Sequence, residues 1–237
     1  MLNEVHKDIQ KEANQNKAKF LQRFFRTGKG EYAEGDIFLG LTVPQSRVIV
    51  KKYKDLPLSD VLELLQSKFH EERLIALLIM VYQFSKGDEK ARKEIYDFYL
   101  TSTKYINNWD LVDLSAGQIV GTYLLQHSAS CNIVLVSLAK SNNLWERRIA
   151  IIATFALIRS GEYEKTFTIA DILLHDKHDL IHKAVGWMLR EVGKRCGDDV
   201  LEDYLKSRYK KMPRTMLRYA IERFEEGKRK RYLSGTI

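Results

Sequence analysis

A chain of 237 residues, 45% hydrophobic and 30% charged but with only 13 Gly and 3 Pro, can bury a substantial core. It is too poor in turn formers for a loop-rich β-sandwich or long disordered linkers. Two cysteines, Cys131 and Cys196, exclude a disulfide scaffold and a four-cysteine zinc site, and 39 Lys+Arg against 31 Asp+Glu leave a net charge of +8 that makes nucleic acid or an anionic membrane a candidate partner.

The opening stretch, MLNEVHKDIQKEANQNK, has neither an apolar core nor a small-residue cleavage site, so no secretory leader and a cytoplasmic location are expected. After it, helical periodicity dominates. VLELLQ, ERLIALLIMVYQF, ARKEIYDFYL, WDLVDLSAGQIVGTYLL and CNIVLVSLAK each fit an amphipathic or buried helix. So do WERRIAIIATFALIR, TFTIADILLH, LIHKAVGWMLREVGKR, VLEDYLKSRYKK and TMLRYAIERF. Polar or glycine clusters punctuate them: SKGD, YINN, QHSAS, KSNN, RSGEY, HDKHD and CGDD. No period-two alternation persists, so the expected class is all-α. The longest apolar runs, Leu74–Tyr82 and Ile149–Ile158, fall short of the roughly 20 residues a bilayer requires.

Spacing adds more. The quartets Arg73-Leu-Ile-Ala76, Asp110-Leu-Val-Asp113, Arg147-Arg-Ile-Ala150, Lys183-Ala-Val-Gly186 and Leu217-Arg-Tyr-Ala220 align, with last positions 37, 37, 36 and 34 residues apart. A two-helix unit of that length is what α-solenoids of HEAT-like repeats show, although helical hairpins of similar length would also align by chance. The expectation is a single curved α-solenoid domain over residues 1–237 that can remain monomeric. Its small slot holds Ala76, Ala150, Gly186 and Ala220, but aspartate at 113. A carboxylate where the fold wants a methyl group either has a partner, faces a cleft, or serves as a helix cap, a role that suits Asp110 better.

Tryptophans gather around the same slot. Trp109 lies one helical turn before Asp113, Trp187 follows Gly186, and Trp145 reads as a core filler. Residues 183–237 carry 15 Lys+Arg against 8 Asp+Glu, and KRKR at 228–231 reads as an exposed basic end. Arginines near aromatics on a helical face suit a phosphate backbone, whereas most scattered cations are only solvated.

The segments FFRTGKGEYAEGDIFLGLTVPQSR, NNWDLVD, LWERRIAI and IHKAVGWMLRE, in this order and spacing, resemble the AlkD family of HEAT-like-repeat DNA glycosylases. The resemblance spans nearly the whole chain. It implies an enzyme that excises cationic alkylated purines from duplex DNA, reading the backbone and minor-groove side without an enclosing pocket. It assigns the catalytic positions to Asp113, Trp109 and Trp187 and phosphate contacts to Arg148, Arg190 and, more loosely, Arg47. An early-helix aromatic that is tyrosine in the best-known members falls at Phe20, so a hydroxyl is missing there. No metal or cofactor is implied, and no membrane partner.

Other motifs are weaker. His175, His178 and His182 have a spacing that could suit a metal but lack completing ligands. His70-Glu71 begins like H-E-x-x-H, yet Leu74 occupies the last position. Thr27-Gly-Lys-Gly30 lacks the order of a phosphate loop. The competing readings are a non-catalytic solenoid that binds nucleic acid and one that binds an acidic protein.

Overall fold

The computed structural model describes residues 1–237 and is all-α, with no strand and one isolated parallel bridge between Ile37 and Phe69. Its contacts divide into two compact units, residues 1–115 and 116–237. No helix is long and apolar enough to cross a membrane.

The first unit contains α1 (Leu2–Glu12), α2 (Gln15–Leu21) with a following 3₁₀ turn (Gln22–Phe24), α3 (Val43–Lys52), α4 (Leu58–Leu65), α5 (His70–Lys86), α6 (Glu89–Thr101) and α7 (Trp109–Ser115). Helix α5 is its axis and packs against α3, α4, α6 and α7. Leu74 to Met80 are buried without interruption, so the hydropathy of this helix runs all the way round it. The sequence pattern did not anticipate α1 and α2. Helix α1 buries only Val5 and Ile9, one turn apart, and α2 buries nothing, so their apolar stripes are too narrow to stand out.

The second unit opens with a π turn (Gly117–Gly121), followed by α8 (Thr122–Gln126), α9 (Ser128–Ala139), α10 (Leu144–Arg159), α11 (Glu164–Ile172), α12 (Asp179–Cys196), α13 (Asp198–Lys206), α14 (Arg214–Ala220) and α15 (Glu226–Ser234). Successive helices pair as hairpins, α9 with α10, α11 with α12 and α13 with α12, while α10 and α14 flank α12. The expected polar breaks supply the caps. Asp88 accepts from Ala91 N at 2.9 Å at the start of α6, Asn143 from Trp145 N at 2.9 Å for α10, and His178 Nδ1 from Leu180 N at 3.2 Å for α12. His182 Nε2 also hydrogen-bonds to the Asp176 carbonyl at 2.5 Å, so two of the three clustered histidines help to build the start of that helix.

The repeat register is visible in side-chain contacts. Arg73 and Arg147 occupy the same slot, and each donates through a terminal guanidinium nitrogen to a serine carbonyl six residues earlier, Ser67 at 2.9 Å and Ser141 at 3.0 Å. At the small slot, Ala76, Ala150 and Ala220 are almost wholly buried. A Cβ on Gly186 would stand 2.5 Å from both the Met216 carbonyl oxygen and the Tyr219 Cβ, so α12 and α14 approach too closely for a methyl group. Trp145 is a core residue, 7% exposed. In the KRKR segment Lys230 and Arg231 are exposed as expected, whereas Lys228 and Arg229 are half-buried. The segment forms part of α15, which Tyr232 anchors against Phe224 and Tyr209, and Lys228 pairs with Glu202.

Candidate active site

Helix α7 is only seven residues long and carries two of the expected catalytic residues. Asn108, fully buried just before it, accepts a hydrogen bond from Trp109 N at 2.8 Å through its side-chain oxygen. Leu111, Val112 and Ser115 turn into the core, and Ser115 hydrogen-bonds to the buried Tyr99 hydroxyl at 2.9 Å. One helical turn separates Trp109 from Asp113, so both fall on the other face. There they line a pocket of about 470 Å³ within the first unit. Phe24, Phe25 and Phe38 form much of its aromatic wall, and the start of α3 at Thr42–Pro44 closes one side.

Two of the lining residues, His70 and Asp110, belong to a charged network that runs into the core. His70, 2% exposed at the first position of α5, turns Nε2 to Asp110 Oδ2 at 2.7 Å and Nδ1 to Asp36 Oδ2 at 3.4 Å. Asp36 also pairs with Arg73 at 2.7 Å and accepts from the Asn108 amide at 3.1 Å. Burial works against the imidazolium, but the carboxylates of Asp110 and Asp36 outweigh it, and the ring is pushed up to about 9. Burial likewise works against the Asp36 carboxylate, yet His70, Arg73 and Asn108 hold it below the ordinary range. Rings continue the network upward. Phe38 stacks on His70 at 4.7 Å, and Phe25 stacks on Trp109 at 5.3 Å with planes 17° apart.

Glu71 secures the pocket wall. Its buried carboxylate accepts from the backbone N–H groups of Leu39, Gly40 and Leu41 at 2.9, 2.8 and 3.2 Å, clamping the segment that leads into α3. Gly40 there has φ +89°, a left-handed conformation that favours glycine. Next to it, Glu72 meets His6 Nδ1 at 2.9 Å and ties α1 to α5.

The remaining expected residues sit as follows. Arg47 is exposed on α3. Phe20 is 56% exposed and meets the pocket-lining Phe24 edge-on at 5.5 Å. In the second unit, Trp187 is half-buried, 6.3 Å from the Phe155 ring. Arg190 pairs with Glu222 and lies 3.8 Å from Glu191. Arg148 is 4% exposed and donates to the Leu180 carbonyl at 2.5 Å, so it is a core guanidinium more than a surface one.

Sequence reasoning missed Asp36, His70, Phe25 and Phe38. One signal was available: His70-Glu-Glu-Arg73 sets four consecutive polar or charged residues at the head of an otherwise apolar helix, and all four are buried. It also placed the positive charge only near the C-terminus. Residues 14–30, which contain α2 and its 3₁₀ turn, hold Lys17, Lys19, Arg23, Arg26 and Lys29 and no carboxylate.

An all-α chain of repeated helical hairpins, with a carboxylate and an indole lining one aromatic pocket, is a helical-repeat protein with a candidate site in its first unit. The chain belongs to the DNA alkylation repair enzyme family, whose sequence profile matches residues 5–224, as the AlkD-like motifs implied. Its fold is similar to that of a solved structure described as a predicted DNA alkylation repair enzyme from Enterococcus faecalis. The TM-score is 0.70 at 15% identity, over 91% of this chain and 98% of that one. No curated protein matches the sequence.

Proposed function

We propose that this protein is a DNA glycosylase that hydrolyses the N-glycosidic bond of cationic N3- and N7-alkylated purines in duplex DNA. An alkylpurine of this kind already carries a positive charge, so it departs as a neutral base without a general acid. As the bond to C1′ breaks, positive charge moves onto the sugar. A carboxylate beside it stabilises that oxocarbenium-like state and orients the water that adds to C1′, whose proton passes to the carboxylate or to solvent. Asp113 takes this role. Indole faces attract cations by about 0.5–2 kcal/mol, so Trp109 favours the charged nucleotide over its neutral parent. Trp187 supplies a second indole of the same kind. Arg47 and Arg190 offer guanidinium groups to backbone phosphates, and Arg148 does so only with its Leu180 contact retained or exchanged.

The observation that carries the reading is that Trp109 and Asp113 line one aromatic-walled pocket. The test is release of 7-methylguanine from methylated duplex DNA by the wild type and by Asp113→Asn. Release by the wild type, with release lost and DNA binding kept in the variant, is expected. Tight, salt-sensitive DNA binding without release by the wild type would leave a nucleic-acid-binding scaffold instead. Absence of DNA binding would leave a protein-binding solenoid.

A further inference from the structure

We propose that His70 is a positioning residue for this site: by bridging Asp36 and Asp110 it fixes the start of the short helix that carries Trp109 and Asp113. The inference rests on the glycosylase reading for its catalytic consequence, but its structural part stands on contacts within the first unit.

A seven-residue helix has little intrinsic stability and takes its orientation from what holds its ends. Both residues flanking Trp109 are held by the same cluster. On one side Asn108 donates to Asp36 at 3.1 Å and receives Trp109 N at 2.8 Å. On the other, Asp110 accepts from Leu111 N at 2.9 Å with one oxygen and meets His70 Nε2 at 2.7 Å with the other. The ring stack gives a second link, because Phe25 lies 5.0 Å from the His70 ring and 5.3 Å from Trp109.

The geometry also fixes the charge state that does this. Each His70 nitrogen faces a carboxylate oxygen, and only the protonated ring can donate from both nitrogens. The groups facing it are Asp36 from the segment before α3, Asp110 and Asn108 from the start of α7, and Arg73 one turn along α5, with Phe25 and Phe38 covering the ring. Glu71 is turned away to Leu39–Leu41. Arg73 opposes the protonation and the two aspartates favour it, which leaves the ring charged up to about pH 9. Loss of the proton takes the imidazole donor from one of the two carboxylates and loosens the start of α7.

The test uses the full chain labelled with 5-fluorotryptophan, whose three ¹⁹F resonances correspond to Trp109, Trp145 and Trp187. Trp109→Phe assigns the Trp109 signal. The expected result is that this signal shifts with a midpoint near pH 9 in the wild type and that the transition is absent from His70→Gln. Single-turnover excision by His70→Gln is expected to fall about tenfold or more, the scale of a small misplacement of reacting groups, with affinity for duplex containing an abasic analogue nearly unchanged. The alkaline limb of the wild-type rate should follow the same midpoint. A Trp109 resonance that stays flat between pH 7 and 10 in the wild type would overturn the proposal, as would a His70→Gln variant with wild-type rate and pH profile. If the wild type excises nothing while the ¹⁹F transition is present, the glycosylase reading fails and the positioning role stands. Should His70→Gln not fold, the wild-type ¹⁹F titration alone decides.

Discussion

Replacing Gly186 by alanine tests the repeat register on which the site assignment was built. On an exposed helix the change would stabilise by about 0.5–1 kcal/mol, because glycine loses more backbone entropy on folding. Here the added Cβ would stand 2.5 Å from the Met216 carbonyl oxygen and 2.5 Å from Tyr219 Cβ. Neither is the end of a flexible side chain, so α14 as a whole has to yield. Overpacking of this kind costs about 1–3 kcal/mol, which exceeds the propensity gain. Subtracting the gain leaves a net loss centred on about 1.2 kcal/mol, which at roughly 2–4 °C per kcal/mol for a chain of this size lowers Tm by about 2–5 °C. Gly117→Ala is the control, since its Cβ would meet the Ile152 carbonyl oxygen at an ordinary 3.5 Å. Differential scanning calorimetry of the two variants decides. A Gly186→Ala protein that melts at or above the wild type would show that the slot has room, and the alignment of Gly186 with Ala76, Asp113, Ala150 and Ala220 would lose its physical basis.

Three further outcomes follow from the same structure. Glu71→Gln turns an amide NH₂ toward backbone donors that now share a carboxylate; a loss of about 2–4 kcal/mol in urea unfolding is expected, with faster amide exchange at Leu39–Leu41. His70 is raised from 6.5 to about 9 on folding, so its stabilisation is complete below pH 6.5 and disappears as pH rises through 9. At 1.36 kcal/mol per unit that is of order 3 kcal/mol, measurable by comparing urea midpoints at pH 6 and 9.5, and His70→Gln should flatten the difference. Arg47→Ala should leave Tm unchanged and reduce the slope of log affinity against log salt by about 1, whereas buried Arg148→Ala should cost about 1–3 kcal/mol in stability because it removes a core guanidinium together with its hydrogen bond to the Leu180 carbonyl. An unchanged Tm for Arg148→Ala would contradict its placement in the core.

Much of the architecture was legible because helical periodicity and repeat spacing are local signals. WERRIAIIATFALIR and LIHKAVGWMLREVGKR became α10 and α12 with their breaks at KSNN, HDKHD and CGDD. Periodicity failed where few residues are buried, as in α1 and α2, and where a helix changes type. The run WDLVDLSAGQIVGTYLL reads as one helix, but a π turn interrupts it at Gly117–Gly121, closed by Gly121 N to Ala116 O at 2.9 Å. A bulge of this kind changes no residue type and leaves no mark on an apolar pattern. In the pocket, Trp109 and Asp113 were legible as neighbours because i and i+4 share a helical face. Their supports were not, because Asp36 and Phe38 are distant in sequence and reach α7 only through tertiary packing.

The register explains why the charges of this pocket occur where they do. Across the quartets the first slot is basic in three units, Arg73, Arg147 and Lys183, and the last slot is Ala or Gly in four. The quartet at 110–113 inverts both ends, with aspartate at each. Arg147 shows what the first slot ordinarily does, since its guanidinium reaches the Ser141 carbonyl and Asp176 at 2.7 Å and holds one loop to the next. With Asp110 in that slot the partner has to be a cation from outside, and His70 supplies it from the preceding repeat. The inversion therefore needs a buried histidine, a second carboxylate at Asp36 and an arginine to balance it, a set that packing alone would replace with hydrocarbon. Aspartate occurs again at 113, one turn deeper and lining the same pocket as Trp109. The cost of this cluster is concentrated where a carboxylate and an indole line one pocket, the place the proposed glycosylase reading assigns to the cationic nucleotide.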